Sequence, residues 1–136
     1  IQRLYPDNPI ATQVLAPGQV VPAAGQGVLA LEIRENDEAM RKVLAPIHHV
    51  PTATCVEAER ELQRRLEGGC QVPLGIYGEL DGGRLTLTAC LARPDGSGLI
   101  RESVTGAAAD PKAVARALEK VLVSLGARQI LDELNR

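Results

Sequence analysis

Between residues 72 and 106 three apolar runs alternate with two short turn signals, and this arrangement leaves few folds open. The runs are Val72–Leu80, Leu85–Arg93 and Leu99–Gly106, separated by Asp81-Gly82-Gly83 and Pro94-Asp95-Gly96-Ser97. Glycines in such short connections accept the positive φ of tight turns, so consecutive strands are expected to pair as antiparallel hairpins. In the middle run Leu85, Leu87, Ala89 and Leu91 fall on one face, with Thr86, Thr88 and Cys90 on the other. A sheet that is apolar on one side must be covered there. The covers flank it in sequence. Ala58, Leu62 and Leu66 recur at helical spacing before the sheet, and Val114, Leu118, Val121, Leu122 and Leu125 form a stripe after it. The later helix opens with an Asp110-Pro111 cap and closes at Gly126, and a short last helix is expected from Ala127 to Leu134. The earlier helix is expected to begin at Thr54-Cys55-Val56-Glu57, read as a capping box, and to stop at Gly68 or Gly69. The sum is an α+β fold, a three-stranded antiparallel sheet with helices packed on one face.

The first part of the chain reads differently. Pro6, Pro9, Pro17 and Pro22 punctuate residues 1–25, and each disfavours helix for its predecessor. Val20 to Gly27 resembles a linker. Val28–Ile33 is a short apolar run suited to a strand buried on both faces, and Asp37–Leu44 suits a helix stopped before Pro46. This strand and helix have no partner nearby in sequence. Such an orphan unit normally completes a sheet built from other segments, and in an isolated chain it is expected to be disordered, swapped or dimerised.

Composition excludes several functions. The only aromatic residues among 136 are Tyr5 and Tyr77, so the core must be aliphatic and stacking platforms for single-stranded nucleic acid are lacking. A net charge of −2 without a basic block argues against phosphate-backbone binding. No run approaches the ~20 apolar residues that span a bilayer, and no signal peptide is visible. The three cysteines, Cys55, Cys70 and Cys90, are odd in number and widely spaced. They fit free thiols in a reducing compartment such as the cytoplasm better than a disulfide framework or a zinc site.

Cys70 is the candidate with the most chemistry. Gly68 and Gly69 precede it, and Pro73 follows. The glycines remove Cβ bulk and permit a sharp turn, so a large partner could approach the sulfur. The alternatives are a thiol displayed for covalent chemistry and a loop cysteine of no consequence. Cys55 is expected in a first helical turn and Cys90 within a strand, both as small packed residues. A redox role would need a second thiol adjacent to Cys70, and none is in sequence. His48-His49 lacks the further ligands of a metal site and is assigned a structural role at the entrance to the last domain. Arg64 and Arg65 stand three or four residues from Glu61, the spacing of ion pairs on a solvated helix face. Arg60 is left to hold an interface. Gly25-Gln26-Gly27 alone is a very weak phosphate-loop signal.

Taken together, Pro22-Ala23-Ala24-Gly25-Gln26-Gly27, Leu44-Ala45-Pro46-Ile47-His48-His49, Ala58-Glu59-Arg60, Leu66-Glu67-Gly68-Gly69-Cys70-Gln71-Val72-Pro73-Leu74-Gly75, Pro94-Asp95-Gly96-Ser97 and Leu125–Leu131 resemble the C-terminal part of the porphobilinogen deaminase (hydroxymethylbilane synthase) family. The resemblance spans essentially the whole chain. It implies that residues 1–21 end a second domain and 22–27 form a hinge. Residues 28–45 would complete a first domain, and 46–136 would form the third, with most of domains one and two outside this sequence. It implies a tetrapyrrole-biosynthesis transferase that joins four porphobilinogen molecules into hydroxymethylbilane and releases ammonia. Cys70 would hold a dipyrromethane cofactor through a thioether, and Gln26, with Gly27 beside it, would bind the pyrroles. The family's catalytic aspartate, its lysine and most carboxylate-binding arginines would lie in the first domain. No catalytic residue is therefore assigned here, and the chain alone is expected to be inert. The implied partners are porphobilinogen and the two other domains, in a monomeric full-length enzyme without metal, nucleic acid or membrane. The competing reading is a stand-alone α+β binding or regulatory module without catalysis.

Overall fold

A computed structural model describes residues 13–66 and 72–134. Helix α1 (Glu38–Leu44) and a 3-10 turn (Ala45–Ile47) lead into the long helix α2 (Val50–Arg65). Strands β1 (Leu74–Asp81), β2 (Arg84–Leu91) and β3 (Ile100–Ala107) follow, then helices α3 (Pro111–Ser124) and α4 (Ala127–Leu134).

The sheet is the expected meander, ordered β1-β2-β3 and antiparallel throughout. Gly82 and Gly83 both take positive φ (51° and 82°), as a two-residue hairpin turn whose twist suits the strands requires. The register puts Leu74, Ile76, Gly78 and Leu80 opposite Leu91, Ala89, Leu87 and Leu85. Leu85, Leu87, Ala89 and Leu91 are fully buried. They meet Ala58, Leu62 and Leu66 of α2, Val114, Ala115, Leu118 and Leu122 of α3, and Ala127, Ile130 and Leu131 of α4. The core is aliphatic, and each of its leucines contributes about 1.5–3 kcal/mol through burial. On the open face Thr86 hydrogen-bonds Thr105 and Thr88 hydrogen-bonds Ser103, both at 2.8 Å. The stripe on α3 ends at Leu122; Leu125 caps the helix and is exposed.

Three expectations are corrected. Helix α2 starts at Val50, four residues before the supposed cap. His49 is the N-cap, its Nδ1 accepting from the Thr52 N–H at 3.4 Å, and Pro51 fits a first turn that has no use for its missing donor. The Thr54 hydroxyl instead donates to the Val50 carbonyl inside the helix (3.1 Å), so it caps nothing. Cys55 therefore sits in the second turn rather than the first. Finally, Val28–Ile33 forms no strand, although α1 forms with Asp37 as its cap. A strand needs a ladder, and none of the described strands pairs with this run. Leu29 is 94% exposed and Leu31 61%.

The segment before that run covers the outer edge of β1. The Ile76 N–H donates to the Pro22 carbonyl at 2.8 Å. The Val21 carbonyl oxygen lies 2.5 Å from where a Cβ on Gly75 would stand, so only glycine admits the strap this close. An otherwise free sheet edge is thereby protected.

Candidate functional site

The site begins with a tight turn. Gln26 N–H donates to the Ala23 carbonyl (3.0 Å), and Gly25 and Gly27 both adopt positive φ (70° and 81°). Glycine at 25 and 27 is thus demanded by backbone conformation. The side chain of Gln26 is exposed. Its Oε1 accepts from the Ala23 N–H at 3.1 Å, which leaves the NH2 without a partner among the described residues. That group can donate to a carboxylate or a carbonyl.

Gln26 borders an open cleft of about 320 Å³ between the turn, α2 and β1, where it is joined by Cys55, Glu59, Tyr77 and Glu79. Glu59 is 6% exposed. Its Oε2 accepts from Gly25 N–H at 2.7 Å and its Oε1 from Gly78 N–H at 2.8 Å. Residues 27–33 and the helical segments through Val56 line a larger open hollow of about 1030 Å³, bordered by Val28, Leu29, Leu31 and Ile47.

Burial pushes the Cys55 thiol above its ordinary value, and the nearby carboxylates of Glu59 and Glu79 add to this. A thiol that resists ionisation in the folded state contributes stability below its unfolded value, and loses it as pH rises through the higher folded value. Iodoacetamide at pH 8 is expected to modify Cys55 several-fold more slowly in the folded chain than in urea. Equal rates would remove the burial argument.

Cys70 lies outside the described residues. The nearest described residues are held by the core: Leu66 is fully buried and closes α2 through Leu62, and Val72 packs against the buried cluster. Just before it, Arg65 pairs with Glu119 of α3 and Glu61, while Arg128 of α4 donates to the Arg65 carbonyl at 2.8 Å and reaches Glu119 at 3.5 Å. The end of α2 is thereby tied to both C-terminal helices. Arg64 pairs with Glu61 on the surface, as its spacing suggested. Arg60 is exposed and makes no ion pair among the described residues.

Sequence reasoning missed Glu59 and the Glu119–Arg128 tie. A signal for Glu59 was available: Cys55, Glu59, Leu62 and Leu66 share one helical face, so a carboxylate stands in an apolar stripe. Arg65 stands 54 positions from Glu119 and 63 from Arg128, and no local pattern reveals the tie it makes with them.

The family profile described as porphobilinogen deaminase, C-terminal domain, matches residues 53–123, and that described as porphobilinogen deaminase, dipyromethane cofactor binding domain, matches 1–42. Among curated relatives, a porphobilinogen deaminase of Thiobacillus denitrificans is 46% identical over 121 residues, covering 89% of this chain and 40% of the relative. That of Oceanobacillus iheyensis is 41% identical over 134 residues (98% and 43%), and that of Methylobacillus flagellatus 48% over 118 residues (87% and 38%). The chain spans about 40% of the length of the curated relatives it matches. Among the described residues, no helix is long and apolar enough to cross a membrane.

Proposed function

Because the chain belongs to the porphobilinogen deaminase family, we propose that it supplies the covalent anchor and part of the pyrrole-binding surface of a cytoplasmic transferase that joins four porphobilinogen molecules into hydroxymethylbilane. Cys70 is the anchor, and Gln26 with Gly27 binds the pyrroles. In this reading residues 1–21 end domain two, 22–27 form the hinge, 28–45 complete domain one and 46–136 form domain three. The hollow beside residues 27–33 and the exposed Leu29 and Leu31 support a segment that finds its partner in the remainder of the polypeptide.

The observation that carries the proposal is the match of the family's C-terminal-domain profile over 53–123, a span that includes Gly68-Gly69-Cys70. The described residues fit a pyrrole-bearing group in one respect. Gln26 keeps an unpartnered amide NH2 at a cleft, suited to the carboxylate arms of such a group.

The thiol chemistry follows from cysteine's nucleophilicity. As the C–N bond of a porphobilinogen aminomethyl group breaks, its methylene carbon becomes electrophilic. The Cys70 sulfur forms the S–C bond to it, and the thiol proton leaves with the nitrogen as ammonia. A bound dipyrromethane would supply a pyrrole α-carbon as the site of further growth. The chain's residues would hold it by the sulfur and bind its carboxylates. With a net charge of −2 the chain cannot by itself neutralise many substrate carboxylates, and alone it is expected to be inert.

The test is a peptide map of the native polypeptide that contains this chain. Trypsin releases Leu66–Arg84 as one peptide carrying Cys70. A mass increase of two pyrrole units on it is expected. An unmodified peptide, before and after incubation with porphobilinogen, would overturn the reading and leave a non-catalytic α+β module.

A further inference from the structure

Glu59 is a buried carboxylate with no cation paired to it among the described residues, a costly arrangement that persists only when other donors compensate. Here the donors are two backbone N–H groups, at 2.7 and 2.8 Å, and charge-assisted bonds of this kind are the strong ones. They come from different places. Gly25 belongs to the turn that displays Gln26, and Gly78 to the edge strand β1. Both are glycines, so no side chain shields either amide from the carboxylate. A Cβ at Gly78 would also press on Cys55, 3.1 Å away, which keeps strand and helix close. The Pro22–Ile76 bond adds a second fastening of the same turn to the same strand.

We propose that Glu59 is a positioning residue that locks the Gln26 turn to the domain carrying Cys70. Glu59 and Leu66 stand on one helix, about 10 Å apart along its axis. The turn, the sheet edge and the helix that leads to Cys70 therefore move as one body. Past the Val28–Gly25 bond, no backbone hydrogen bond is made by residues 29–33 among the described residues, so the freedom of the 22–27 hinge lies at its Gly27 end. Gln26 then keeps a fixed station relative to α2 and β1, between which Cys70 lies in sequence. This rests on the roles given above to Cys70 and Gln26, whereas the lock itself does not.

Amide exchange measured by NMR on the 136-residue chain tests the lock without any pyrrole present. Ala23 N–H reports the Gln26 side chain that accepts from it; Gly25 N–H reports Glu59 directly. In Glu59→Ala, exchange at Gly25 and Ala23 is expected to rise about tenfold, while Leu87 and Ala89 in β2 stay protected. Glu59→Gln keeps the size of the side chain and one acceptor oxygen but turns an NH2 toward the other N–H, and is expected to release one of the two amides. Unchanged exchange at Gly25 in both variants overturns the lock, as does loss that includes the β2 amides. Release of Gly25 with Ala23 still protected overturns the positioning of Gln26. In the adduct-bearing polypeptide, Glu59→Gln is expected to raise KM for porphobilinogen about fivefold with kcat held within about twofold, the mark of lost uniform binding. An unchanged KM also overturns the positioning role. A wild-type polypeptide with protected Gly25 but no adduct on Cys70 would sink the enzymatic reading alone.

Discussion

Cys70→Ala is expected to abolish the pyrrole adduct and lower porphobilinogen turnover by at least about a thousandfold in the polypeptide that contains this chain, the scale on which loss of a covalent nucleophile acts. The methyl side chain has no lone pair with which to form the S–C bond. Cys70→Ser is expected to fail almost as completely, because a hydroxyl near neutral pH is far less nucleophilic than a thiol with a small thiolate fraction. Neither of the other cysteines is placed to substitute. Cys55 is half-buried beside Glu59 and Glu79, which raise its thiol further. Cys90 lies on β2 opposite Gly75 and Arg101, fixed in the ladder. Intact mass and initial rates give the result. An adduct surviving in Cys70→Ala, on Cys55 or Cys90, would move the anchor elsewhere.

How much of this was legible in the sequence depends on the range of the interaction. The meander was legible because its determinants are local: Gly82-Gly83 makes the turn, and Leu85, Leu87, Ala89 and Leu91 alternate with Thr86 and Thr88. The final helix was legible to the residue, since Gly126 at φ 96° marks its boundary. The start of α2 was misplaced because two signals competed. A Thr-x-x-Glu pattern looked like a cap, while the true cap is a histidine followed by a proline that serves the first turn. Val28–Ile33 has strand composition without a strand, since pairing depends on residues that are not its neighbours. At the candidate site, Gly68-Gly69-Cys70 was visible as a motif. The two glycine amides that meet Glu59 lie 34 and 19 residues from it, and only the folded sheet edge brings them together.

Leu87→Ala is expected to cost about 2–5 kcal/mol, the largest stability loss from a single core truncation here. Leu87 is fully buried at the centre of β2, between Gly78 on β1 and Val104 on β3. Its neighbour Gly78 has no side chain to move into the space. Nor can the backbone collapse there, because Gly78 is fixed by Glu59 and backed by Cys55, both on α2. The cavity should therefore stay open, which places the cost in the upper part of that range. Against a typical domain stability of about 5–15 kcal/mol, this is a third or more of the total in most cases. Thr88→Ala, one residue on, serves as the contrast. It removes a hydroxyl that bonds Ser103 on the open face, and should cost under about 1 kcal/mol. Urea unfolding of the 136-residue chain resolves the two. The midpoint should fall steeply for Leu87→Ala and little for Thr88→Ala, with the slope unchanged in both. Equal losses at the two positions would mean that the helices do not cover the face of the sheet on which Leu87 lies. The sheet edge and α2 would then have no common support.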